Sequence, residues 1–297
     1  MHLMNRRTFL ETSIATAVLT SLPSKSFAAT HDVEKVGVQL YTVRDAMKSD
    51  FEGTIAKVAA IGYKEVEFAG LFNHSPKGVR AILDKNGLTA PSSHIGYDIV
   101  EKQWPETIEA AKIIGQSYIV CPWIPEELRK QPDGYKRIAE LFNKAGETSS
   151  KAGIKFGYHN HTWEFQPVPL LGGKRPYDFL LDSTDPKLFN MEMDICWLVV
   201  TGQDPVSYFN RYPGRFPLVH VKDMKKLPVI SEGTDVSKLP HLDVDMTDVG
   251  SGVIDWKKIF ANADKAGIKH YFVEHDSPKD GFASITNSYG YLSKVRF

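Results

Sequence analysis

The sequence predicts an α/β fold, a single (β/α)8 TIM barrel that follows an N-terminal signal peptide. Short apolar segments of strand character alternate with amphipathic helical segments from about residue 34 onward. Eight such units occur before the chain ends. The segment 34–297 that contains them has the length of one α/β barrel domain, which is typically about 250 residues.

The individual strands and helices can be placed in order from this alternation. Strands are expected at Val36–Val43, Glu65–Phe68, a segment ending at Ser92–His94, Tyr118–Cys121, Lys155–His159, Asn190–Asp194, Leu218–Lys222 and Tyr271–Glu274. Helices are expected near Phe51–Ala60, Lys77–Lys85, Thr107–Ile114, Gly134–Ala152, Tyr177–Asp182, Pro205–Phe209, Asp255–Ala266 and Ser284–Leu292. Glycines at 62 and 87 end the first two helices. A long connection rich in proline and aspartate follows the seventh strand.

Alternating strands and helices imply a parallel sheet, because each crossover returns the chain to the same edge. Eight units favour closure into a barrel. An open doubly wound sheet is the competing fold, and it places a glycine-rich phosphate loop after an early strand. The segment Tyr41–Asp45 that follows the first strand contains no glycine. The barrel is therefore the favoured architecture.

The amino terminus has the three parts of an export signal. Arg6-Arg7 precede the short apolar run Ile14–Leu19, and Ser26–Ala29 supplies small residues suited to cleavage. The arginine pair followed by Phe9-Leu10 resembles a bacterial twin-arginine signal. We expect residues 1–29 to be this signal, the twin-arginine machinery to be a partner, and the protein to be periplasmic or otherwise exported. An amphipathic amino-terminal helix is the alternative. The apolar run is too short for a stable membrane anchor, which needs roughly 20 residues.

The charge balance argues against a polyphosphate partner. Lys plus Arg and Asp plus Glu both number 36, whereas nucleic-acid-binding proteins usually have a basic excess. A small carbohydrate fits a neutral protein better, and no nucleic-acid partner is expected. Cys121 and Cys196 lie in apolar segments of strand character and are expected to be buried thiols. They offer no soft-ligand metal site, because a two-cysteine site needs further ligands at suitable spacing.

Polar residues stand at the carboxyl ends of the four late strands. His159 ends the fifth strand, Asp194 the sixth, and Glu274 the eighth, while His220 lies near the end of the seventh. A closed parallel barrel brings these strand ends together at one face. Carboxylates and imidazoles without thiolates suit Mn²⁺, Co²⁺, Fe²⁺, Zn²⁺ or Mg²⁺. The sequence therefore predicts a divalent-metal site, although each residue could separately serve as a helix cap, a core histidine or half of an ion pair.

Several segments together resemble the xylose-isomerase-like TIM barrel superfamily, the sugar phosphate isomerase/epimerase family. These segments are Gly37–Arg44, Tyr158–Phe165, Met193–Trp197, Val219–Asp223, Gly250–Trp256 and Val273–Asp276. The resemblance extends over residues 34–294. It implies a metal held by a Glu, Asp, His, Glu series, in which Asp194, His220 and Glu274 match the last three positions. His159 stands where relatives often have glutamate and is the favoured fourth ligand, with His161 and Glu164 as alternatives.

Such a metal chelates a carbonyl and its neighbouring hydroxyl and stabilises the enediolate formed by proton abstraction. Candidate proton-transfer groups lie at other strand ends: they are Glu67, His94, His161 and Lys222. Glu67 could instead pair with an arginine, and His94 could make only local hydrogen bonds. Lys222 shares a strand face with His220 and could orient a carbonyl oxygen or neutralise carboxylates.

Three residues are candidates for substrate binding: Gln39, Asn160 and Trp197. Trp197 follows the metal aspartate, where relatives place a ring against a sugar face, although core packing is its alternative role. Gln39, like Arg44, could bind hydroxyls or be structural.

The expected function is a divalent-metal-dependent sugar isomerase or epimerase acting on a keto-sugar. A metal-dependent 3-keto-glycoside lyase working by β-elimination is the alternative, since both reactions begin with proton abstraction next to a carbonyl. A non-catalytic carbohydrate-binding protein and an endonuclease-like barrel are less favoured.

Overall fold

A computed structural model describes residues 32–231, 233–241 and 244–297, and the expected signal peptide at residues 1–29 lies outside them. Eight parallel strands form one sheet. They are Val36–Gln39, Glu65–Phe68, Thr89–Ser93, Tyr118–Cys121, Lys155–His159, Phe189–Asp194, Leu218–Val221 and His270–Val273, referred to below as the first to eighth barrel strands. Their order in the sheet is 3-2-1-8-7-6-5-4.

The third and fourth strands close this sheet into a barrel. His94 and Val120 form a parallel bridge, and Ile95 N donates to Val120 O at 2.8 Å. At the other end of the same seam, Ser117 N donates to Pro91 O at 2.9 Å. The predicted (β/α)8 barrel is thereby confirmed.

Helices cover the outside of the barrel. The α-helices are Arg44–Ser49, Phe51–Ile61, Pro76–Asn86, Tyr97–Lys102, Trp104–Ile114, Glu126–Arg129, Gly134–Ser150, Pro176–Ser183, Ile195–Val200, Pro205–Arg211, Trp256–Phe260, Ala263–Ala266 and Gly281–Leu292. Short 3-10 helices occur at Leu40–Val43, Trp163–Phe165, Pro169–Leu171 and Val236–His241. Within the described ranges, no helix is both long and apolar enough to cross a membrane.

The first strand is shorter than the sequence predicted. It ends at Gln39, and Leu40–Val43 turns into a 3-10 helix instead of continuing the strand. The Gln39 side chain causes this change locally, because its Oε1 accepts the backbone N–H of Tyr41 at 3.0 Å and caps the turn. As a result, Tyr41 moves from the expected strand onto the rim of the barrel mouth, beside Arg44 at the start of the next helix.

The barrel interior has an apolar floor beneath a polar upper layer. Tyr118, Leu218 and Phe272 form a small buried cluster inside the barrel, separate from the main core between strands and helices. Gly37 makes room for this floor, since a Cβ there would lie 2.7 Å from Cδ1 of Phe272. The ring of His220 stands edge-on above Phe272, with ring centres 6.2 Å apart. Above this floor, the strand ends carry a cluster of carboxylates, imidazoles and one ammonium.

A buried carboxylate organises the long connection after the seventh strand. Oδ2 of Asp223 accepts the backbone N–H of Gly250 at 3.0 Å and the indole N–H of Trp256 at 3.0 Å. It also accepts the backbone N–H of Gly252 at 3.3 Å. Residue 252 must be glycine, because a Cβ there would lie 2.1 Å from Asp223 Oδ1. Asp223–Met224 also pairs with Met246–Thr247 in a short antiparallel ladder, so both ends of the connection are fixed.

Replacing Asp223 should destabilise the whole protein. In Asp223→Ala several buried N–H donors lose their acceptor, and each unsatisfied buried donor costs about 1–3 kcal/mol. We expect the free energy of unfolding to fall by about 3 kcal/mol or more in urea denaturation. Asp255→Ala is the matched control, because Asp255 only caps the helix Trp256–Phe260 through Lys258 N, a contribution of about 1 kcal/mol. Equal losses in the two variants would contradict the role given to Asp223.

Candidate active site

The carboxyl ends of the barrel strands converge on a cluster of imidazoles and carboxylates. Its members are Glu67, His94, His159, Glu192, Asp194, His220, Lys222, Glu274 and Asp276. Residues two apart on a strand share a face, which places Glu192 with Asp194 and His220 with Lys222. Most of these side chains are buried; that of His94 is 12% exposed.

In the deeper half of the cluster, three imidazoles surround one carboxylate oxygen. Oε2 of Glu192 lies 2.6 Å from His94 Nε2 and 3.2 Å from His220 Nε2. It lies 3.3 Å from His159 Nδ1. These residues come from the third, fifth, sixth and seventh strand ends, so barrel closure alone brings them together.

Glu67 is held beside this group by polar neighbours. Gln39 Nε2 donates to its Oε2 at 2.8 Å, and the hydroxyl of Ser92 donates to its Oε1. The same Oε2 lies 2.7 Å from His220 Nε2 and 3.3 Å from His94 Nε2. Burial would raise the pKa of this carboxyl, but the adjacent imidazoles hold it well below its usual value.

In the outer half of the cluster, one ammonium holds three carboxylates. Lys222 Nζ lies 2.9 Å from Asp194 Oδ2, 2.7 Å from Glu274 Oε2 and 2.7 Å from Asp276 Oδ1. Burial alone would lower the pKa of Lys222, but its three carboxylate partners raise it well above its usual value. Lys222 is therefore a fixed cation.

The histidines differ in charge because their surroundings differ. Burial lowers the pKa of His161 to about 3 and that of His159 well below its usual value, so both rings are neutral at pH 7. Burial also opposes the charged form of His94, but Glu67 and Glu192 outweigh it and raise that pKa to about 9.

The donor set fits a divalent cation. Nitrogen and oxygen atoms of His94, His159, Glu192 and His220 lie within 4.8 Å of one another, and so do those of Asp194, His220 and Glu274. Three buried atoms in these groups make no hydrogen bond: Nδ1 of His159, Oε1 of Glu192 and Oδ2 of Asp194. Buried polar atoms are normally satisfied, so their presence supports a bound cation. The set of nitrogen and oxygen donors without thiolate suits a first-row divalent metal.

The structure brings together most of the residues that the sequence singled out. Asp194, His220, Glu274 and His159 lie in the cluster, as do Glu67, His94 and Lys222, while His161 lies at its edge with its ring centre 5.0 Å from that of His159.

Three other candidates from the sequence lie apart from the cavity wall. Gln39 is occupied by Glu67 and the Tyr41 N–H. The side chain of Asn160 bonds both the backbone N–H and C=O of Asp194, at 3.0 and 3.2 Å. Glu164 turns toward the Tyr158 hydroxyl and the backbone N–H of His161. Each of the three positions another residue.

Sequence reasoning missed Glu192 and Asp276. Both lie two positions from an identified residue, Asp194 and Glu274 respectively, and the period of two along a strand would have placed each on the same inward face. A charged residue inside an apolar strand was the available signal for Glu192.

Two connected hollows open above the cluster. The smaller, about 460 Å³, is lined by His94, His159, His161, Lys222 and Glu274, with Tyr41 and Arg44 on its rim. The larger, about 940 Å³, shares His161 and Asp276 with it and is also lined by Trp197. Outside the smaller hollow, Trp123 is 45% exposed and packs edge-on against His161. Polar side chains in the walls, with the indoles of Trp197 and Trp123 nearby, suit a carbohydrate.

The buried carboxyl of Glu164 should make the free energy of unfolding depend on pH. Burial raises the pKa of its carboxyl to about 8, although hydrogen bonds from Tyr158 and His161 oppose this. The unfolded chain releases this proton near pH 4.3, so the free energy of unfolding should fall as the pH rises from about 4.3 to about 8. In Glu164→Gln, urea unfolding at pH 5 and pH 8 should show a smaller drop than in the unmodified protein. The exposed Glu140→Gln is the control, and a drop of the same size in both variants would refute the assignment.

Comparisons with known proteins agree with this site. An inosose dehydratase from Lacticaseibacillus casei is 25% identical over 245 residues, covering 75% of this chain and 80% of that protein. An inosose dehydratase from Geobacillus thermodenitrificans is 25% identical over 270 residues, covering 83% and 87%.

A solved structure gives a similar match. The crystal structure of a sugar phosphate isomerase/epimerase from Parabacteroides distasonis superposes with a TM-score of 0.72 at 28% identity, covering 92% of this chain and 97% of that one. The model of one protein family, described as Xylose isomerase-like TIM barrel, matches residues 55–291. The chain belongs to the xylose isomerase-like TIM barrel family.

Proposed function

We propose that this protein is a metal-dependent lyase that removes the proton next to the carbonyl of a cyclic keto-sugar and expels a β-substituent. The observation that carries the proposal is the pairing of a neutral imidazole and a fixed ammonium in one cavity wall. His161 and Lys222 both line the smaller hollow, directly above the cluster that fits a divalent cation. These are the groups that enolisation of a bound ketone requires.

Lys222 is suited to stabilise negative charge on the carbonyl oxygen. Its ammonium is buried and held by three carboxylates, so it is positioned before substrate binds. A pre-positioned charge in a buried site needs no reorganisation when the oxyanion develops. A divalent cation held by the neighbouring imidazoles and carboxylates would supply Lewis-acid polarisation of a bound carbonyl.

His161 is suited to accept the proton. Its ring is neutral at pH 7, and it lines both hollows. The imidazole takes the proton from the carbon next to the carbonyl. The C–H electron pair forms a double bond to the carbonyl carbon, and the C=O π pair moves onto the oxygen to give an enolate. When that pair re-forms C=O, the double bond shifts to the α,β position, the β C–O bond breaks, and the imidazolium returns its proton to the departing oxygen. The step is balanced and needs no oxidant or co-substrate.

The relatives favour elimination over isomerisation. The name inosose dehydratase, given to both relatives above, describes loss of water from a cyclic ketone. That loss breaks a β C–O bond, as in the proposed reaction. The Parabacteroides protein, called a sugar phosphate isomerase/epimerase, keeps isomerisation or epimerisation as the second candidate. Both reactions share proton removal and differ in whether a β-substituent leaves.

Incubation in deuterated water with substrates of each type separates these reactions. Metal-loaded protein is given an inosose, a 3-keto-glucoside and a free ketose, and products are followed by NMR and mass spectrometry. Loss of water or release of the aglycone is the expected result. Deuterium incorporation with the carbon skeleton and all oxygens retained would replace the lyase by an isomerase or epimerase. Binding of a ligand without turnover, unchanged by metal removal, would show a carbohydrate-binding protein.

Substitutions at the two proposed groups should lower kcat strongly. Lys222→Met removes the charge that meets the oxyanion, and we expect kcat to fall about 10²–10³-fold. His161→Gln removes the base, with an expected loss of about 10²–10⁴-fold. Lys151→Met is the control, because Lys151 is 71% exposed at the carboxyl end of the outer helix Gly134–Ser150. Steady-state kinetics that leave kcat of Lys222→Met within a factor of three of the control would contradict the proposal.

We also propose that the chain is exported by the twin-arginine machinery and cleaved near Ala28 or Ala29. The support is the Arg6-Arg7 pair with the following short apolar run and small residues. In a bacterial host, replacing both arginines with lysine should retain the full-length protein in the cytoplasm, as measured by cell fractionation and mass spectrometry. Unchanged secretion of the variant would exclude this route.

A further inference from the structure

The polar cluster has an outer half, in which the Lys222 ammonium pairs with three carboxylates, and a deeper half that holds no lysine of the described chain. We propose that the divalent metal is bound in the deeper half, by His94, His159, Glu192 and His220, and that Lys222 takes the place of a metal in the outer half. The inference rests on the metal dependence in the proposed function but not on which reaction is catalysed. It differs from the set Asp194, His220, Glu274 and His159 that the sequence suggested.

The spacing of the donor atoms supports the deeper position. Donor atoms around a tetrahedral ion with bonds of about 2.1 Å lie roughly 3.4 Å apart. Glu192 Oε2 lies 3.2 Å from His220 Nε2 and 3.3 Å from His159 Nδ1. Of these three contacts to Glu192 Oε2, only that to His94 Nε2, at 2.6 Å, has to lengthen. In the outer half the matching space is filled, because Lys222 Nζ lies within 2.9 Å of Asp194 and Glu274.

The charges favour the same position. In the outer half, the Lys222 ammonium offsets its carboxylate partners. In the deeper half, Glu67 and Glu192 are both fully buried, and in the described part of the chain their ion pairs are with imidazoles alone. A dication bound by the imidazoles in their neutral form would balance the charges of these two buried carboxylates. Glu67 Oε2 lies 2.7 and 3.3 Å from two of the same nitrogens, so it approaches the ion as well.

Buried polar atoms without a hydrogen bond give a separate argument for the deeper half. Nδ1 of His159 and Oε1 of Glu192 are buried without a hydrogen bond. The Asp194 oxygen that also lacks one is already paired with the Lys222 ammonium at 2.9 Å. A metal between His159 Nδ1 and the Glu192 carboxylate, which lies 3.3 Å away, would satisfy this nitrogen, and Oε1 of Glu192 offers a second unsatisfied donor on the same carboxylate.

This assignment accounts for the imidazole at position 159. If Glu192 supplies the carboxylate from the sixth strand, the fifth strand contributes a nitrogen ligand, and His159 Nδ1 lies 3.3 Å from Glu192 Oε2. His94 and His159 line the smaller hollow, whereas Glu192 and His220 lie beneath it. The ion would thus be held from below and at its sides by four protein donors, and a ligand in the hollow would bind it by expanding the coordination to five.

Metal binding by matched variants tests the proposal without reference to turnover. The full chain without its signal is stripped with a chelator and titrated with Co²⁺, and the visible absorption and the metal content per chain are measured. Glu192→Gln should weaken Co²⁺ binding at least tenfold, and Asp194→Asn should leave it within threefold of the unmodified protein. His94→Gln, at the cavity wall, serves as the second variant if Glu192→Gln unfolds, as judged by circular dichroism, and should also lose at least tenfold.

The number of bound imidazoles provides a second readout. Proton NMR of the Co²⁺ protein should show paramagnetically shifted, exchangeable N–H resonances from three histidines. Two such resonances, or Co²⁺ binding lost in Asp194→Asn and kept in Glu192→Gln and His94→Gln, would place the metal in the outer half. That result overturns this inference and leaves the proposed lyase standing. Failure of the unmodified protein to bind any divalent metal would overturn both.

Discussion

The imidazole of His220 is the contact on which the polar interior of this barrel depends. Its Nδ1 lies 2.6 Å from Glu274 and its Nε2 lies 2.7 Å from Glu67, so one ring joins carboxylates from the eighth and second strands. An uncompensated buried charge costs several kcal/mol. The two halves of the site are therefore coupled, because a movement of this ring would take a partner from Glu274 on one side or from Glu67 on the other.

The seventh strand shows how a regular backbone builds this arrangement. Every second residue of this strand points into the barrel. Leu218 belongs to the apolar floor, His220 links two carboxylates, and Lys222 supplies the fixed ammonium. The floor also shapes the electrostatics, since the Phe272 ring below His220 offers no hydrogen bond to the charges above it. Those charges must be balanced among themselves or by a bound ion.

Sequence periodicity predicted the barrel and the strand ends, and therefore the residues that meet at the mouth. It did not predict how deep inside the barrel each polar side chain lies. Glu192 was overlooked because it lies inside a strand, where only its contacts with histidines from other strands show that it belongs to the site. Gln39 and Asn160 are on the expected elements, but the structure uses their amides to position Glu67 and Asp194. Such roles depend on the side-chain rotamers of residues on neighbouring strands, which a local sequence pattern does not predict.

The buried carboxylate of Asp223 has a consequence for how such a protein can diversify. It fixes both ends of the connection that follows the seventh strand, immediately beside Lys222. Lengthening or shortening the chain between those ends costs little free energy, because loop-closure entropy changes slowly with length. The rim above the larger hollow can accordingly be rebuilt by insertion or recombination while the reacting groups keep their positions. Substrate range and chemistry are thus separable traits in this architecture, open to selection one at a time.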